Sequence, residues 1–365
     1  MDVAKVKGIL MAETAKAAIP KKDLLSTGST LLNLACTGYP DGGFFKGAYF
    51  WLVGDSQSGK TFLALTCLAE ASLNKEFDDY RLIHDDVEGG SLMDIRKFFG
   101  DAVAKRLEPA KRGDDGESLC SQTIEDFYFN LDNALDYKRP CIYILDSMDG
   151  LSSEYEGKKF DERKTAAEKG TVAKGDYGDG KAKRNSGSIR HMLGRIRDTG
   201  SILIIISQTR DNIDAGMFGE KTTVSGGRAL KFYASLQLWS SVGAAIKVTV
   251  RGKERRVGVI SRVRVKKNRT TGRDRGVEVP IYYSVGFDDV GGCVDYLVSE
   301  KYWPRNKGGM ITAKEFDLQL GRDDMIETIE SRSLEFDLRQ LVADVWHDIE
   351  AACAVQRKTR YPTGG

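Results

Sequence analysis

The chain has 365 residues, of which 41% are hydrophobic and 30% are charged, and its formal net charge is +2. This length can hold one large domain and a smaller one, and the composition predicts a soluble chain with a buried core. No apolar run reaches the length of about 18 residues that a membrane-spanning helix needs, and the charged N-terminal stretch lacks the apolar centre of a secretory signal. The balanced charge neither favours nor excludes a nucleic-acid partner, because local patches decide such binding.

The six cysteines form no C-x-x-C pair, and the chain has only three histidines. This pattern predicts reduced, mostly buried thiols in a cytoplasmic protein, and it gives no sign of a zinc site.

Apolar runs and helical stretches alternate along the first two thirds of the chain. Residues 2–18 predict a short helix that stops at Pro20. The run AYFWLV predicts a strand ending at Gly54, with a helix from about Lys60. Three further strands are predicted in YRLIHDDVEGG, PCIYILDSMDG and SILIIISQTR. Such an order predicts an α/β fold, with a mostly parallel sheet covered by helices on both faces and ligands at the carboxyl ends of its strands.

Two segments interrupt this regularity. Residues 152–187 are rich in Lys, Glu, Asp and Gly, and residues 209–230 are rich in Gly and Thr. Both follow strands, so we expect long loops from the same edge of the sheet, either functional or simply solvated. Alternating apolar residues from about 248 predict an antiparallel extension of the sheet. A small helical region follows residue 286, and its last helix, near 323–352, carries an apolar stripe typical of a core or docking face.

The stretch GDSQSGKT fits the phosphate-binding pattern G-x-x-x-x-G-K-[ST], in the strand–loop–helix context that the pattern requires. Its glycines let backbone N–H groups point at phosphates, its lysine reaches the β- and γ-phosphates, and its last hydroxyl binds Mg²⁺. The predicted nucleotide contacts are Gly54, Asp55, Ser56, Gln57, Ser58, Gly59, Lys60 and Thr61.

Carboxylates and an amide end the other strands. Asp146, after IYIL, has the Walker-B form that holds Mg²⁺ together with Thr61. Glu88 in HDDVEGG is the preferred base for orienting the attacking water, with Asp85 and Asp86 as alternatives. Gln208 in IIISQTR is placed either to contact the γ-phosphate or simply to cap its strand.

The order of these motifs, followed by GGRALKFYAS, resembles the RecA family of recombinases over about residues 25–310, including bacteriophage recombinases of the UvsX kind. The resemblance implies a RecA-type P-loop ATPase core that polymerises on DNA with ATP and Mg²⁺ at the subunit interface. It implies an oligomerisation segment at 1–25, a core at 26–285 with DNA-binding loops at about 152–187 and 209–230, and a small α-rich domain at 286–365, which in this sequence ends in a basic tail.

The resemblance also assigns roles to single residues. Glu88 corresponds to the catalytic glutamate and Gln208 to the γ-phosphate sensor. Lys267 and Arg269 correspond to basic residues that reach the ATP of a neighbouring subunit, where they act with Lys60 as charge stabilisers. From the residues alone, RVKKNR is better interpreted as a solvated basic strand end. Two residues of KFYAS are implied at the subunit interface: Lys231 and Phe232.

Single-stranded DNA is the ligand implied for the two irregular segments. Arginines and glycine N–H groups there would bind phosphates without reading sequence, and two apolar residues would act as wedges between bases or as a local hydrophobic anchor. The implied contacts are Ser186, Arg190, Arg210, Met217, Phe218, Gly226, Gly227 and Arg228. The first segment is longer and more charged than the bacterial pattern, and the tail QRKTRYPTGG is basic where such recombinases often end acidic.

These features predict a DNA-dependent ATPase that forms filaments on single strands and exchanges them into homologous duplex DNA, in a bacterial or phage-infected cell. The expected partners are single- and double-stranded DNA, further copies of the chain, and accessory single-strand binding and loader proteins, with no membrane. One alternative is a helicase-like motor or regulator of the same fold, although the short segment before the core favours a filament. The other is a non-catalytic scaffold, which the intact set of nucleotide residues disfavours.

Overall fold

The computed structural model describes residues 19–89, 93–108, 120–136, 138–169, 180–211, 222–224, 227–355 and 357. The strands in this part of the chain are β1 (Leu24–Leu25), β2 (Phe44–Phe45), β3 (Ala48–Gly54), β4 (Arg81–Asp86), β5 (Cys141–Asp146), β6 (Ile202–Asp211), β7 (Thr222–Val224), β8 (Leu236–Val250), β9 (Lys253–Asn268), β10 (Arg275–Tyr282), β11 (Gly286–Phe287), β12 (Ile311–Ala313) and β13 (Leu318–Leu320). The α-helices are α1 (Thr30–Thr37), α2 (Lys60–Leu73), α3 (Ile95–Arg106), α4 (Ile124–Leu135), α5 (Glu154–Glu168), α6 (Gly180–Thr199), α7 (Gly227–Tyr233), α8 (Asp289–Ser299), α9 (Arg322–Ser331) and α10 (Glu335–Ala352).

The central sheet has the strand order β11-β10-β9-β8-β3-β6-β5-β4, with β7 paired to β6. The five strands from β8 to β4 are parallel to their neighbours, and β9, β10 and β11 continue the sheet antiparallel. In register, Gly54 of β3 lies between Gln208 of β6 and Ser240 of β8. The sheet therefore brings the carboxyl ends of the parallel strands to one edge, and the predicted α/β fold is confirmed.

Burial explains why the inner strands read as continuous apolar runs. Every residue of β3 and β5 is buried, which requires cover on both faces of the sheet. On one face, Tyr49, Trp51 and Val53 pack with apolar residues of α4 and α6. The predicted four-strand pattern and its antiparallel extension are both present, so the hydrophobic pattern placed the strands that carry the site.

The two segments predicted as irregular loops contain regular structure where they are described. Residues 154–168 and 180–199 are helices α5 and α6, so the prediction of an irregular loop over 152–187 is wrong for these parts. Ser153 and Glu156 form a reciprocal capping box at the start of α5, and Lys159 pairs with Glu162 one turn on. Charged side chains at such spacings stabilise a helix even when it has no apolar stripe. The apolar stripe is the pattern by which helices were predicted from the sequence, so α5 was missed.

The second segment, 209–230, also contains more regular structure than predicted. Strand β6 continues to Asp211, β7 pairs with it, and α7 begins at Gly227. Residues 170–179 and 212–221 lie outside the described residues, as do the predicted N-terminal helix at 2–18 and most of the basic tail.

The described residues form two compact units, one spanning Lys21–Asp289 and the other running from Val290 onward. The predicted functional division into domains stays a prediction. In the second unit, the predicted single helix near 323–352 is two helices, because the chain turns at Ser333 with a φ of 54°. Most of its apolar stripe is buried, which confirms a core role. Among the described helices, none combines the length and apolar character that crossing a membrane would take.

Candidate functional site

The phosphate-binding pattern forms a tight loop between β3 and α2. Gly59 has a φ of +90°, and a Cβ there would lie 2.6 Å from Ile281 Cδ1. A Cβ on Gly54 would overlap the carbonyl oxygen of Ser240, so both positions require glycine. The first backbone N–H groups of α2, beginning at Lys60, have no acceptor within the helix and carry its positive dipole end. The loop is therefore shaped to hold an anion such as a phosphate chain.

Lys60 is folded back onto its own loop. Its side chain is buried, and Nζ donates to the carbonyl oxygens of Gly54 at 2.9 Å and Asp55 at 2.6 Å. Burial lowers the pKa of Lys60, while the carboxylates of Asp146, Asp55, Asp149 and Glu88, in that order, oppose the shift. A desolvated ammonium held only by carbonyl oxygens at the mouth of an anion cradle is well matched to a phosphate group.

Asp146 ends β5 and is buried, with Asp86 of β4 beside it in register. His84 Nε2 lies 3.6 Å from Asp146 Oδ2, beyond hydrogen-bonding distance, so this contact does not occupy the carboxylate. Magnesium prefers oxygen ligands and is usually held by one or two carboxylates together with substrate phosphates. Asp146 and the Thr61 hydroxyl therefore fit the donor set of a nucleotide-bound Mg²⁺ ion.

Glu88 and Gln208 are brought together from β4 and β6. Gln208 Nε2 donates to Glu88 Oε1 at 3.2 Å, and Ser147 Oγ donates to the same oxygen at 2.8 Å. Glu88 lies just past the end of its strand, as expected of a residue that faces a ligand at this edge. Two donors on one oxygen hold the carboxylate in a defined orientation.

Asp85, one of the two alternative bases, is buried and hydrogen-bonded to neighbouring side chains and backbone. Its buried carboxylate accepts from Ser121 N at 3.0 Å, from Ser121 Oγ at 2.5 Å and from Tyr143 Oη at 2.6 Å. These donors use both carboxylate oxygens, and Asn130 in turn supports Ser121. Asp85 is therefore held in a buried hydrogen-bond network, and the choice of Glu88 as the base stays a prediction.

Three contacts at the end of β6 were not predicted from the sequence. Asp149 Oδ2 accepts the backbone N–H of Gln208 at 2.7 Å, and Asp149 Oδ1 lies 3.5 Å from Arg210 Nη2. Asp55 Oδ1 accepts from Thr209 Oγ1 at 2.5 Å. The only available signal for Asp149 was its place three residues after Asp146 in LDSMDG. Its partners are 59 residues or more along the chain, so no local pattern could supply them.

The predicted DNA contacts are distributed over three elements. Arg190 on α6 is exposed, and its Nε donates to Tyr233 Oη at 3.1 Å. Ser186 on the same helix is half-buried, and Arg228 is exposed in the first turn of α7, which begins at Gly227. The remaining predicted contacts, Met217, Phe218 and Gly226, lie outside the described residues. The DNA role of this set stays a prediction.

Lys267 and Arg269 bind the end of α7 in their own chain. Lys267 Nζ donates to the carbonyl oxygens of Lys231 at 3.1 Å and Phe232 at 2.6 Å, and Arg269 Nη2 donates to Phe232 O at 2.7 Å. Phe232, the predicted interface residue, is exposed over 66% of its surface. Cations beside the last carbonyl groups of a helix are favourable.

The same two cations are remote from the phosphate loop of their own chain. Lys267 pairs in register with Gln237, and Gln237 pairs with Trp51. Trp51 precedes Gly54 by three residues, which is about 10 Å along the strand. The register therefore sets Lys267 back along the sheet from the phosphate loop, and a role of these cations at the ATP of another copy stays a prediction.

Lys267 should react as an unusually acidic lysine. Burial, followed by the charge of Arg269, lowers its pKa from 10.5 to about 8. At pH 8 about half of its amine is therefore neutral and nucleophilic, whereas an ordinary lysine is almost wholly protonated. We expect competitive acetylation, read by mass spectrometry, to give a half-maximal rate near pH 8 for Lys267. Exposed Lys75 is the internal reference, and a profile of Lys267 matching that of Lys75 would contradict the prediction.

The sheet, the glycine-dependent loop before α2 and the acidic end of β5 define a P-loop nucleotide-binding fold. Residues 166–288 match the family model described as the RecA N-terminal domain. The protein named Protein RecA from Chlorobaculum tepidum is 27% identical over 355 residues, covering 93% of this chain and 88% of the relative. Proteins of the same name from Bacteroides thetaiotaomicron and Allorhizobium ampelinum are 26% and 29% identical over 87% and 79% of this chain, and over 85% and 70% of their own lengths. The chain is therefore similar to RecA proteins over most of its length, and one third of it matches the RecA N-terminal domain model.

Proposed function

We propose that this chain is an ATP-dependent homologous-recombination protein that forms filaments on single-stranded DNA and promotes homologous pairing and strand exchange. One observation carries the proposal. Glu88 and Gln208 share a hydrogen bond at the end of β6, the strand from which the segment with most of the predicted DNA contacts leaves the sheet. The proposed γ-phosphate sensor Gln208 and the proposed DNA contact Arg210 thus lie two residues apart on one strand, which supports a DNA-dependent ATPase.

The nucleotide part of the mechanism follows from the loop geometry. Bound ATP with Mg²⁺ supplies a γ-phosphoryl group whose transfer to water develops charge on its oxygens. Lys60 and the N–H groups at the start of α2 hold the phosphates, and Thr61 and Asp146 hold the metal ion. Glu88 orients the attacking water and accepts its proton, while the Gln208 amide contacts the γ-phosphate. Little covalent chemistry is left for the protein, so positioning and charge stabilisation dominate.

Contacts between neighbouring protomers complete the proposed ATP site. Lys267 and Arg269 of one protomer neutralise charge at the ATP of the next, and Lys231 and Phe232 lie at the contact between them. This arrangement makes hydrolysis depend on assembly, because an isolated protomer lacks the two cations at its own loop. The segment before residue 25 would dock on the neighbouring protomer and extend the filament.

DNA is held through its backbone in this proposal. Arg190, Arg210 and Arg228 bind phosphates with Ser186, the N–H groups of Gly226 and Gly227 add contacts, and Met217 and Phe218 separate groups of bases. Such contacts position a strand without reading its sequence, so homology is read by base pairing alone. Single-strand binding and loader proteins are the expected accessory partners, in the cytoplasm of a bacterial or phage-infected cell.

The test is D-loop formation with purified full-length protein, ATP, a labelled oligonucleotide and supercoiled DNA that is either homologous or unrelated. We expect product only with homologous DNA and ATP, and none with Lys60→Ala. Hydrolysis stimulated by single-stranded DNA without any D-loop would instead support a helicase-like motor or regulator. If the protein forms no D-loop and hydrolyses no ATP, both the recombinase and the motor hypotheses are refuted.

A further inference from the structure

We propose that Asp149 is a positioning residue that couples DNA at Arg210 to the hydrolytic residues Gln208 and Glu88, an inference that rests on the function proposed above. Asp149 follows β5 and has only 7% of its side chain exposed. Its two carboxylate oxygens contact the same strand end, one at the Gln208 backbone N–H (2.7 Å) and the other at Arg210 Nη2 (3.5 Å). One buried group therefore contacts both a predicted sensor and a predicted DNA ligand.

The chain of contacts continues to the base. The Gln208 side chain donates to Glu88 Oε1 at 3.2 Å, and Ser147 Oγ donates to that oxygen at 2.8 Å. Arg210, Asp149, Gln208 and Glu88 thus form one continuous series of polar contacts at the edge of the sheet. Coupling between sites travels through contiguous groups of this kind only if the series has two arrangements.

Arg210 can adopt two arrangements, one paired with Asp149 and the other paired with a DNA phosphate, because it is exposed to solvent. Its side chain is 60% exposed, and its contact with Asp149 is longer than a good hydrogen bond. A DNA phosphate can accept two parallel hydrogen bonds from the guanidinium group, so it competes effectively with one distant carboxylate oxygen. Arg210 would then exchange Asp149 for the phosphate, and Asp149 would lose a cation while buried.

A buried carboxylate that loses its cation must be compensated by its remaining donors. For Asp149 these include the Gln208 backbone N–H, and Lys60 is within its electrostatic reach. Once Arg210 has left, the negative charge of Asp149 therefore interacts more strongly with the Gln208 N–H and with Lys60 of the phosphate loop. Thr209, between Gln208 and Arg210, also donates to Asp55 of that loop, which gives the strand end a second contact with the phosphate loop.

Asp149→Asn separates this role from a structural one. Asparagine Oδ1 still accepts the Gln208 N–H, but it carries no charge for Arg210. Because Arg210 is released, we expect poly(dT) to bind about fivefold more tightly, the lower end of measured coupling between sites. Stimulation of hydrolysis by poly(dT) should be lost, because the asparagine carries no charge that could act on Gln208 and Lys60. The affinity gain should disappear in the Arg210→Ala background, because the two residues act on one another.

Asp149→Ala removes both contacts and leaves the Gln208 N–H without its acceptor. We expect kcat with poly(dT) to fall by about tenfold, with the KM for ATP unchanged. Asp101→Asn, in an exposed pair with Arg96, is the matched control and should behave like the wild type.

The inference would be overturned if Asp149→Asn binds poly(dT) and hydrolyses ATP like the wild type, or if its affinity gain persists with Arg210→Ala. It would also be overturned if Asp149→Ala loses ATP binding and thermal stability together, which is a purely structural effect. Failure of the proposed function has a different signature, since the wild type itself would then show no stimulation by poly(dT).

Discussion

Replacing Lys60 with alanine should abolish nucleotide-dependent activity while leaving the protein folded. Lys60 supplies the buried ammonium at the mouth of the anion cradle, and loss of one such group typically costs about 10²–10³ in rate. The pKa of Lys60 is lowered, because burial disfavours its charge more than the nearby carboxylates favour it. Removing that charge should therefore not lower Tm. Steady-state hydrolysis with single-stranded DNA and a thermal melt measure both effects.

Lys46→Ala is the matched control for this prediction. Lys46 is also mostly buried, with 19% of its side chain exposed, and donates to the carbonyl oxygen of Glu76 at 3.1 Å. It lies before β3 and contacts Phe77 and Tyr80 rather than the phosphate loop. We expect Lys46→Ala to hydrolyse ATP like the wild type. Normal hydrolysis by Lys60→Ala would show that the loop does not bind the nucleotide in this way.

Glu88→Gln should separate ATP binding from hydrolysis. The substituted amide oxygen can still accept from Ser147 and Gln208, so the local geometry is kept while the basic carboxylate is lost. General-base catalysis contributes about 10²–10⁴ to rate, so we expect kcat to fall by that factor with nucleotide affinity unchanged. Single-turnover hydrolysis and titration with a fluorescent nucleotide give the two quantities separately.

Asp85→Asn is the comparison that tests the choice of base. An amide NH₂ at this position would face Ser121 and Tyr143, which are donors, so we expect a stability loss of about 1–3 kcal/mol in urea unfolding. Below its unfolding temperature this variant should hydrolyse ATP with the kcat of the wild type. The reverse result, with Asp85→Asn inactive and Glu88→Gln active, would transfer the role of base to Asp85.

The choice between these carboxylates could not be made from the sequence, although both stand in HDDVEGG. Side chains alternate along a strand, so Asp85 points to the opposite face from its neighbours and meets Tyr143 of β5. Which face carries a hydrogen-bonding layer and which faces a ligand depends on the elements packed there. The α4 region supplies Ser121 to one face, 36 residues away along the chain, and no spacing rule anticipates that contact.

The charged segment after β5 shows a second reason why some of the fold could not be predicted from the sequence. Its helices were not predicted, because the expected signal was an apolar stripe and α5 buries no side chain. Capping by Ser153 and pairing of charges one turn apart stabilise a helix locally, but these patterns are also common in solvated loops. Composition alone therefore could not separate a polar helix from an irregular segment.

By itself the sequence determined the phosphate loop, the parallel strands and the polar residues at their ends. These follow from local rules: glycine where φ is positive, apolar runs where strands are buried on both faces, and fixed spacing within a single turn. Only the tertiary structure decided which polar groups meet, such as Glu88 with Gln208, Asp149 with Arg210, and Lys267 with the end of α7. Those pairs join segments far apart in the chain, so they exist only once the order and register of the strands have brought their ends to one edge of the sheet.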